Sequence, residues 1–315
     1  MTLQELKNLF KKELENIYTL SESLELFYIF SEKFLELNRL DLQKILQKGI
    51  PSEKVKLFSS VIAELKTGKP YQQILGEAFF YGNRFFIDEN VLIPRPETEE
   101  LVDLIIKKLC HNSISFKILD IGTGSGCIPI TLAKYLPNSQ ITSIDVSPKA
   151  LNIAKKNADF HNVNINFVLK DYLNEKLDDV YDIIVSNPPY IGTSEEEEIP
   201  LSVKNFEPKI ALFAPPESIL AFYEKIAEDC KNHLSEKGMI FLEINQKLGQ
   251  QTLNLFQKTL SKSEFETVFL TASREYLYLS SSLVKEVAQN KGNLSFFVTE
   301  NVEKRMIERV ESFKG

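Results

Sequence analysis

Asn187-Pro188-Pro189-Tyr190 directly follows Asp182-Ile183-Ile184-Val185-Ser186, an apolar run that reads as a buried strand. The side-chain oxygen of Asn187 and the backbone carbonyl of Pro188 offer two acceptors on one turn. The prolines stiffen that turn, because their φ angles are fixed. Such a pair can bind both N–H groups of a planar amide or aromatic amine, with Tyr190 packed against the flat group. The nitrogen of such a group is a poor nucleophile, since its lone pair is delocalised. A rigid acceptor pair would act by orientation and electrostatics rather than by acid–base chemistry. The plain alternative is a Pro-Pro loop at a strand end.

A second constellation lies upstream. Ile118-Leu119-Asp120-Ile121 reads as a central strand, and Gly122-Thr123-Gly124-Ser125-Gly126 as the turn after it. The helix that follows tolerates Pro129 because it falls in the first turn. The glycines are spaced G-x-G-x-G, not the G-x-G-x-x-G of dinucleotide sites. That spacing argues against a pyrophosphate ligand and resembles the first motif of class I methyltransferases, whose cofactor is S-adenosyl-L-methionine. Asp145 ends the next strand, Gln140-Ile141-Thr142-Ser143-Ile144-Asp145. An acid about 20 residues past a glycine loop accepts hydrogen bonds from ribose hydroxyls in doubly wound folds. Ser147-Pro148 should cap the following helix. A third strand, Ile165–Leu169, leads to Asp171 and Tyr172, where such enzymes contact adenine and where Tyr172 offers a ring for stacking. The expected cofactor-binding set is Gly122, Thr123, Gly124, Ser125, Gly126, Asp145, Tyr172 and Asn187. The expected catalytic set is Asn187, Pro188, Pro189 and Tyr190.

Strands alternating with helices imply an α/β fold, a doubly wound parallel sheet of Rossmann-like kind. In a 3-2-1-4-5 order, strand one ends in the glycine loop and strand four in Asn187. The order reverses between them, and ligands bind at that reversal.

Four segments carry a family resemblance. Gly68-Lys69-Pro70-Tyr71-Gln72-Gln73-Ile74-Leu75-Gly76 is similar to an interdomain segment. Val91-Leu92-Ile93-Pro94-Arg95-Pro96-Glu97-Thr98-Glu99 is similar to a Pro-Arg-Pro-Glu-Thr stretch. The glycine loop with Asn187–Tyr190, and Glu207-Pro208 with Ala211-Leu212, complete the match. Over roughly residues 1–245 the chain resembles the release factor glutamine methyltransferases, which methylate the glutamine of the Gly-Gly-Gln loop in peptide chain release factors. The resemblance implies a seven-stranded class I sheet behind a small helical domain, S-adenosyl-L-methionine as cofactor, and a release factor as protein substrate. Tyr172 stands where that family has Trp. The family's last hairpin is not evident. Either Glu300–Arg305 is its counterpart, after a helix at Leu283–Gln289 and a turn at Lys291-Gly292, and residues near 250–280 are an insertion; or the hairpin lies at Phe265–Leu279 before an added tail.

The expected organisation is a helical bundle over residues 1–68 for substrate docking, a β-hairpin linker over 69–93 turning at Tyr81-Gly82-Asn83, and a methyltransferase domain over 94–315, atypical from about 250. Leu3, Leu6, Phe10, Leu14 and Ile17 form one helical stripe. Ser21 or Ser23 can cap a second helix, and Pro51-Ser52 opens another. Glu195–Glu198 reads as a solvated acidic loop. Glu303–Phe313 reads as an exposed helix.

The 315 residues are 43% hydrophobic, enough for a real core. Cys110, Cys127 and Cys230 lack metal or disulfide spacing, and His111, His161 and His233 read as surface or loop residues, so no metal is expected. No secretory leader or membrane span is evident, and a cytoplasmic monomer is expected. A second reading is N-methylation of a nucleic-acid base, since adenine and guanine methyltransferases share the Asn-Pro-Pro-Tyr turn. The net charge of −7 and absence of a basic cluster oppose it. A third reading, a cofactor-binding partner without catalysis, is opposed by the intact Asn187 turn.

Overall fold

The computed structural model describes residues 1–110, 114–260 and, for the backbone, 266–272. The chain forms two compact units. One is Met1–Glu77 with Ile199–Phe206; the other is Ala78–Glu198 with the described residues from Glu207 on.

The first unit begins with helices α1 (Leu3–Leu14), α2 (Leu20–Leu35), α3 (Arg39–Lys44), α4 (Ser52–Lys66) and α5 (Tyr71–Leu75). Leu3, Leu6, Phe10 and Leu14 are buried along one face of α1, but the helix stops there, and Ile17 is exposed beyond it. The cap of α2 is Thr19, not Ser21 or Ser23. Thr19 Oγ1 accepts from the Glu22 N–H, and the Glu22 carboxylate accepts from the Thr19 N–H at 2.7 Å. That reciprocal box needs an acid three residues on; Ser21 and Ser23 are followed there by Leu24 and Leu26. Phe10, Phe27, Phe30 and Phe58 are fully buried in the centre, with Phe27 ring centroids 5.8 Å from those of both Phe10 and Phe58. Each contributes about 1.5–3 kcal/mol by leaving water. Tyr71–Leu75, read from sequence as part of a hairpin, is helical and packs Tyr71, Ile74 and Leu75 onto this core.

The second unit opens with a hairpin, β1 (Glu77–Phe80; its first residue belongs to the other unit) and β2 (Asn83–Phe86), turning at Tyr81 and Gly82 with φ of 49° and 73°. Then come α6 (Pro96–Leu109), β3 (Lys117–Ile121), α7 (Cys127–Tyr135), β4 (Gln140–Asp145), α8 (Pro148–His161), β5 (Asn166–Leu169) and β6 (Tyr181–Ser186). Helix α9 (Leu201–Phe206) returns to the first unit. The chain continues through α10 (Lys209–Leu212), α11 (Ala221–His233), β7 (Leu234–Asn245), α12 (Gly249–Thr259) and β8 (Glu266–Ala272).

Six of these strands form one sheet in the order β5-β4-β3-β6-β7-β8, every neighbouring pair parallel. Alternate side chains serve opposite faces. Ile118, Ile183, Val185 and Phe241 pack with Leu101, Ile105 and Leu109 of α6 and Ile128 and Leu132 of α7. Leu119, Ile121, Ile184, Leu242 and Ile244 pack with Tyr223, Ile226 and Cys230 of α11 and Phe256 of α12. Burial on both faces explains why these strands read as continuous apolar runs.

Seven strands are expected in the main sheet, and six of them lie among the described residues. Within the stretch near 250–280, α12 and β8 extend the helix–strand alternation. Glu266–Ala272 pairs in parallel with β7, and the remainder of the hairpin expected at Phe265–Leu279 lies outside the described residues. The segments Leu283–Gln289, Lys291-Gly292, Glu300–Arg305 and Glu303–Phe313 lie outside the described residues.

Candidate active site

Strands β3 and β6 are adjacent and in register, Ile121 opposite Ser186. Their next residues, Gly122 and Asn187, therefore leave the sheet side by side. Ser186 Oγ donates to the Ile121 carbonyl at 2.7 Å and locks the strand ends together. Gly122 has φ of 89°, a region L side chains avoid, and a Cβ there would come 3.9 Å from the Asn187 carbonyl. Gly126 is buried at the start of α7. A Cβ there would meet Ile130 at 2.9 Å and Ala154 of α8 at 3.1 Å, so the glycine lets the two helices close. Space above Gly124 is open.

Asp145, at the end of β4, holds this loop. Its Oδ2 accepts from the Gly124 N–H at 2.9 Å and its Oδ1 from the Ser147 N–H at 2.8 Å. Burial raises its pKa, against the pull of those N–H groups. Ser147 caps α8 through the Ala150 N–H, with Pro148 at the first helical position. Below the loop, Thr123 donates to Ser143 at 2.7 Å and Ser143 to Asp120 Oδ2 at 2.6 Å. Asp120 is fully buried, and burial pushes its pKa up to about 7. Its Oδ1 has no partner among the described residues.

The surroundings of Asn187 are built by a helix and a strand that sequence reading left without a role. Asn187 Nδ2 donates to Thr98 Oγ1 at 3.0 Å, and Thr98 Oγ1 donates to Glu243 Oε2 at 2.7 Å. Tyr190 OH reaches Glu243 Oε1 at 3.3 Å, and Tyr223 OH donates to the Glu243 carbonyl at 3.1 Å. Burial raises the pKa of Glu243 to about 7 and, helped by the Glu243 charge, raises that of Tyr190. Just before α6, Arg95 pairs with Glu207 at 2.5 Å, both buried, and Glu207 also accepts from the Ile93 N–H at 3.0 Å. Burial opposes the Arg95 charge, but Glu207 outweighs it and keeps the guanidinium protonated. Glu97 has both carboxylate oxygens buried with no side-chain hydrogen-bond partner among the described residues, and burial raises its pKa.

The structure thus brings Gly122, Thr123, Gly124, Ser125, Gly126, Asp145 and Asn187 to the carboxyl ends of β3, β4 and β6. Pro188 is buried; Asn187, Pro189 and Tyr190 are half-buried. Tyr172 is not at that edge as an open stacking face. It is 5% exposed, packed with Leu177, Tyr181 and Ile184, and the Lys225 ammonium lies 5.1 Å from its ring centroid. The acidic run is not simply solvated either. Glu195 is buried and accepts from Asn245 Nδ2 at 3.0 Å and the Gly192 N–H at 3.2 Å, tying the loop after Tyr190 to the end of β7. His161, at the end of α8, is half-buried against Phe85 with a ring nitrogen 2.8 Å from the Arg84 carbonyl, whereas His111 lies outside the described residues. Among the described residues no group of three or more His, Cys, Asp or Glu side chains could hold a metal ion, and no helix is long and apolar enough to cross a membrane.

Thr98 and Glu243 were missed as site residues because no spacing ties either to Asn187. Thr98 lies inside a quoted motif, and the signal for Glu243 was a lone acid in the apolar run Met239–Ile244, whose burial demands partners.

Residues 98–201 match the family model of the methyltransferase small domain. With the doubly wound parallel sheet and its glycine loop, this makes the chain a methyltransferase. It is 46% identical over 263 residues to the release factor glutamine methyltransferase of Flavobacterium psychrophilum, covering 82% of this chain and 92% of that one. It is 41% identical over 269 residues to that of Streptococcus pneumoniae, covering 85% and 94%. It is 38% identical over 251 residues to that of Bacteroides thetaiotaomicron, covering 78% and 88%. The chain belongs to the release factor glutamine methyltransferases.

Proposed function

We propose that the protein methylates the side-chain amide nitrogen of the glutamine in the Gly-Gly-Gln motif of peptide chain release factors, using S-adenosyl-L-methionine. The observation that carries this reading is that Gly122 and Asn187 directly follow the paired strand ends Ile121 and Ser186, with Asn187 Nδ2 engaged by Thr98 so that Oδ1 is left to accept. The residues fit the cofactor. Open space lies over Gly124, Asp145 offers acceptor oxygens for ribose hydroxyls, and the unpartnered Asp120 Oδ1 suits a donor-rich group. Gly122, Thr123, Gly124, Ser125, Gly126 and Asp145 would hold it. We assign no adenine contact to Tyr172, whose ring is in the core.

When bound, the cofactor would supply an electrophilic methyl group on a sulfonium that keeps the bond's electron pair, and the amide proton displaced from the nitrogen would pass to solvent. Asn187 Oδ1 and the Pro188 carbonyl bind the substrate N–H groups and aim the nitrogen. Tyr190 packs against the planar amide, with its hydroxyl held by Glu243. The helical unit serves to dock the protein substrate.

The test is to incubate the enzyme with labelled methyl donor, release factor and RNA together. Label on the release factor, lost when the Gly-Gly-Gln glutamine is replaced, is the expected result. Label that persists after that replacement, or faster labelling of RNA or DNA, overturns it.

A further inference from the structure

An asparagine amide works in this site only one way round. Its oxygen and nitrogen have nearly the same shape, and half a turn exchanges acceptor for donor. The substrate N–H groups need the oxygen.

Hydrogen counting decides the orientation. Thr98 has one hydroxyl hydrogen. It faces Glu243 Oε2 at 2.7 Å, and once Glu243 is ionised, above its pKa of about 7, that atom only accepts. The Thr98 oxygen can then only accept, and the group facing it, 3.0 Å away, is the Asn187 amide. Only the Nδ2 end satisfies it. The reversed amide would set Asn187 Oδ1 against a Thr98 lone pair. Thr98 and Glu243 are 3% and 1% exposed, so water does not compete for these bonds. The three residues come from α6, β7 and the turn after β6, so the tertiary fold sets the relay. Glu243 also binds Tyr190 OH, three residues beyond Asn187, and so grips both ends of the turn.

We propose that Thr98 and Glu243 are positioning residues: the chain Glu243–Thr98–Asn187 fixes the Asn187 amide with its oxygen toward the acceptor nitrogen. This rests on the reaction proposed above and names what orients its key side chain.

Thr98→Val keeps the shape and removes the hydroxyl, whereas Thr98→Ser keeps the hydroxyl. Turnover on release factor should fall roughly 10- to 100-fold in Thr98→Val, as for other small misplacements of a reacting group. Thr98→Ser should stay near wild type, and calorimetry should show donor affinity within about twofold in both, since the relay touches only the acceptor side. In an Asn187→Ala background, adding Thr98→Val should cost no further turnover, because the residue it acts through is gone. Wild-type turnover in a folded Thr98→Val protein, or an equal loss with and without Asn187, overturns the proposal. Should Thr98→Val fail to fold, the wild-type protein still decides: by nuclear magnetic resonance, one Asn187 side-chain amide proton should exchange with solvent more slowly than the other. Equally fast exchange of both overturns the relay. Absence of any release-factor labelling by the wild-type enzyme would instead defeat the functional reading, leaving the exchange measurement to judge the relay.

Discussion

The core of the helical unit and the carboxyl end of the parallel sheet bury opposite kinds of side chain. In the first, Phe10, Phe27, Phe30 and Phe58 fill the centre, and the buried polar side chains are two serines, Ser23 and Ser31. In the second, Asp120, Thr123, Ser143, Thr98, Glu243, Arg95 and Glu207 are all buried. An aromatic core adds stability in proportion to area removed from water. Buried charge and hydroxyl networks add little net stability, but they fix where atoms point. The difference suggests a division of labour: one region holds a shape, the other holds an orientation.

The comparison breaks most readily at its apolar side. Phe58→Ala should cost about 3–5 kcal/mol of stability through lost burial and a residual cavity. Chemical denaturation of the full chain checks this, and calorimetry should find donor affinity unchanged. An accompanying loss of donor affinity would contradict the division. At the polar side the balance should reverse. Asn187→Ala should lower turnover about 100- to 1,000-fold, the range for loss of one preorganised polar contact, while the denaturation midpoint moves little. Steady-state kinetics beside thermal melting would show it.

Asp145→Ala should weaken donor binding by on the order of 1–3 kcal/mol, through lost acceptors for two hydroxyls. Unchanged affinity in a folded variant removes Asp145 from the ribose assignment. Because Asp145 also holds the Gly124 and Ser147 N–H groups, this variant should lose some stability too.

The smallest expected effect concerns pH. Burial pushes Asp120 and Glu243 up to about 7. Such carboxyls bind a proton more tightly folded than unfolded. Their stabilising contribution is full below the unfolded values near 4 and is lost as pH rises through about 7. Stability of the donor-free protein should therefore decline across that window. Asp120→Asn should flatten the decline by on the order of 1 kcal/mol or more. An identical slope in both proteins, from denaturation at several pH values, would place Asp120 in contact with water.

Much of the fold was legible in the chain. Ile118–Ile121 and Ile183–Ser186 were readable because strands buried on both faces are mostly apolar, and Gln140–Asp145 through its β-branched Ile141, Thr142 and Ile144. The glycine loop announced itself through spacing, and Ser147-Pro148 through cap chemistry. Boundaries were less legible. Ile17 fits the stripe of α1 by arithmetic, but the helix ends three residues earlier, and Thr19 competed successfully with Ser21 and Ser23 through its pairing with Glu22.

Sequence alone determined the class of fold, the two turns and the identity of Asn187, because each rests on local chemistry: apolar runs, glycines at positive φ, prolines at fixed φ. Only the tertiary structure decided which neighbours those turns receive. Thr98 and Glu243 are 145 residues apart, and Thr98 and Asn187 are 89 apart. No local pattern predicts that their atoms meet. Tyr172 marks the same divide from the other side: its aromatic type was legible, but whether its ring faces a ligand or the core depended on packing among Leu177, Tyr181 and Ile184. A hydrogen bond needs its partners within about 3 Å, and only the assembled sheet brings such distant residues that close.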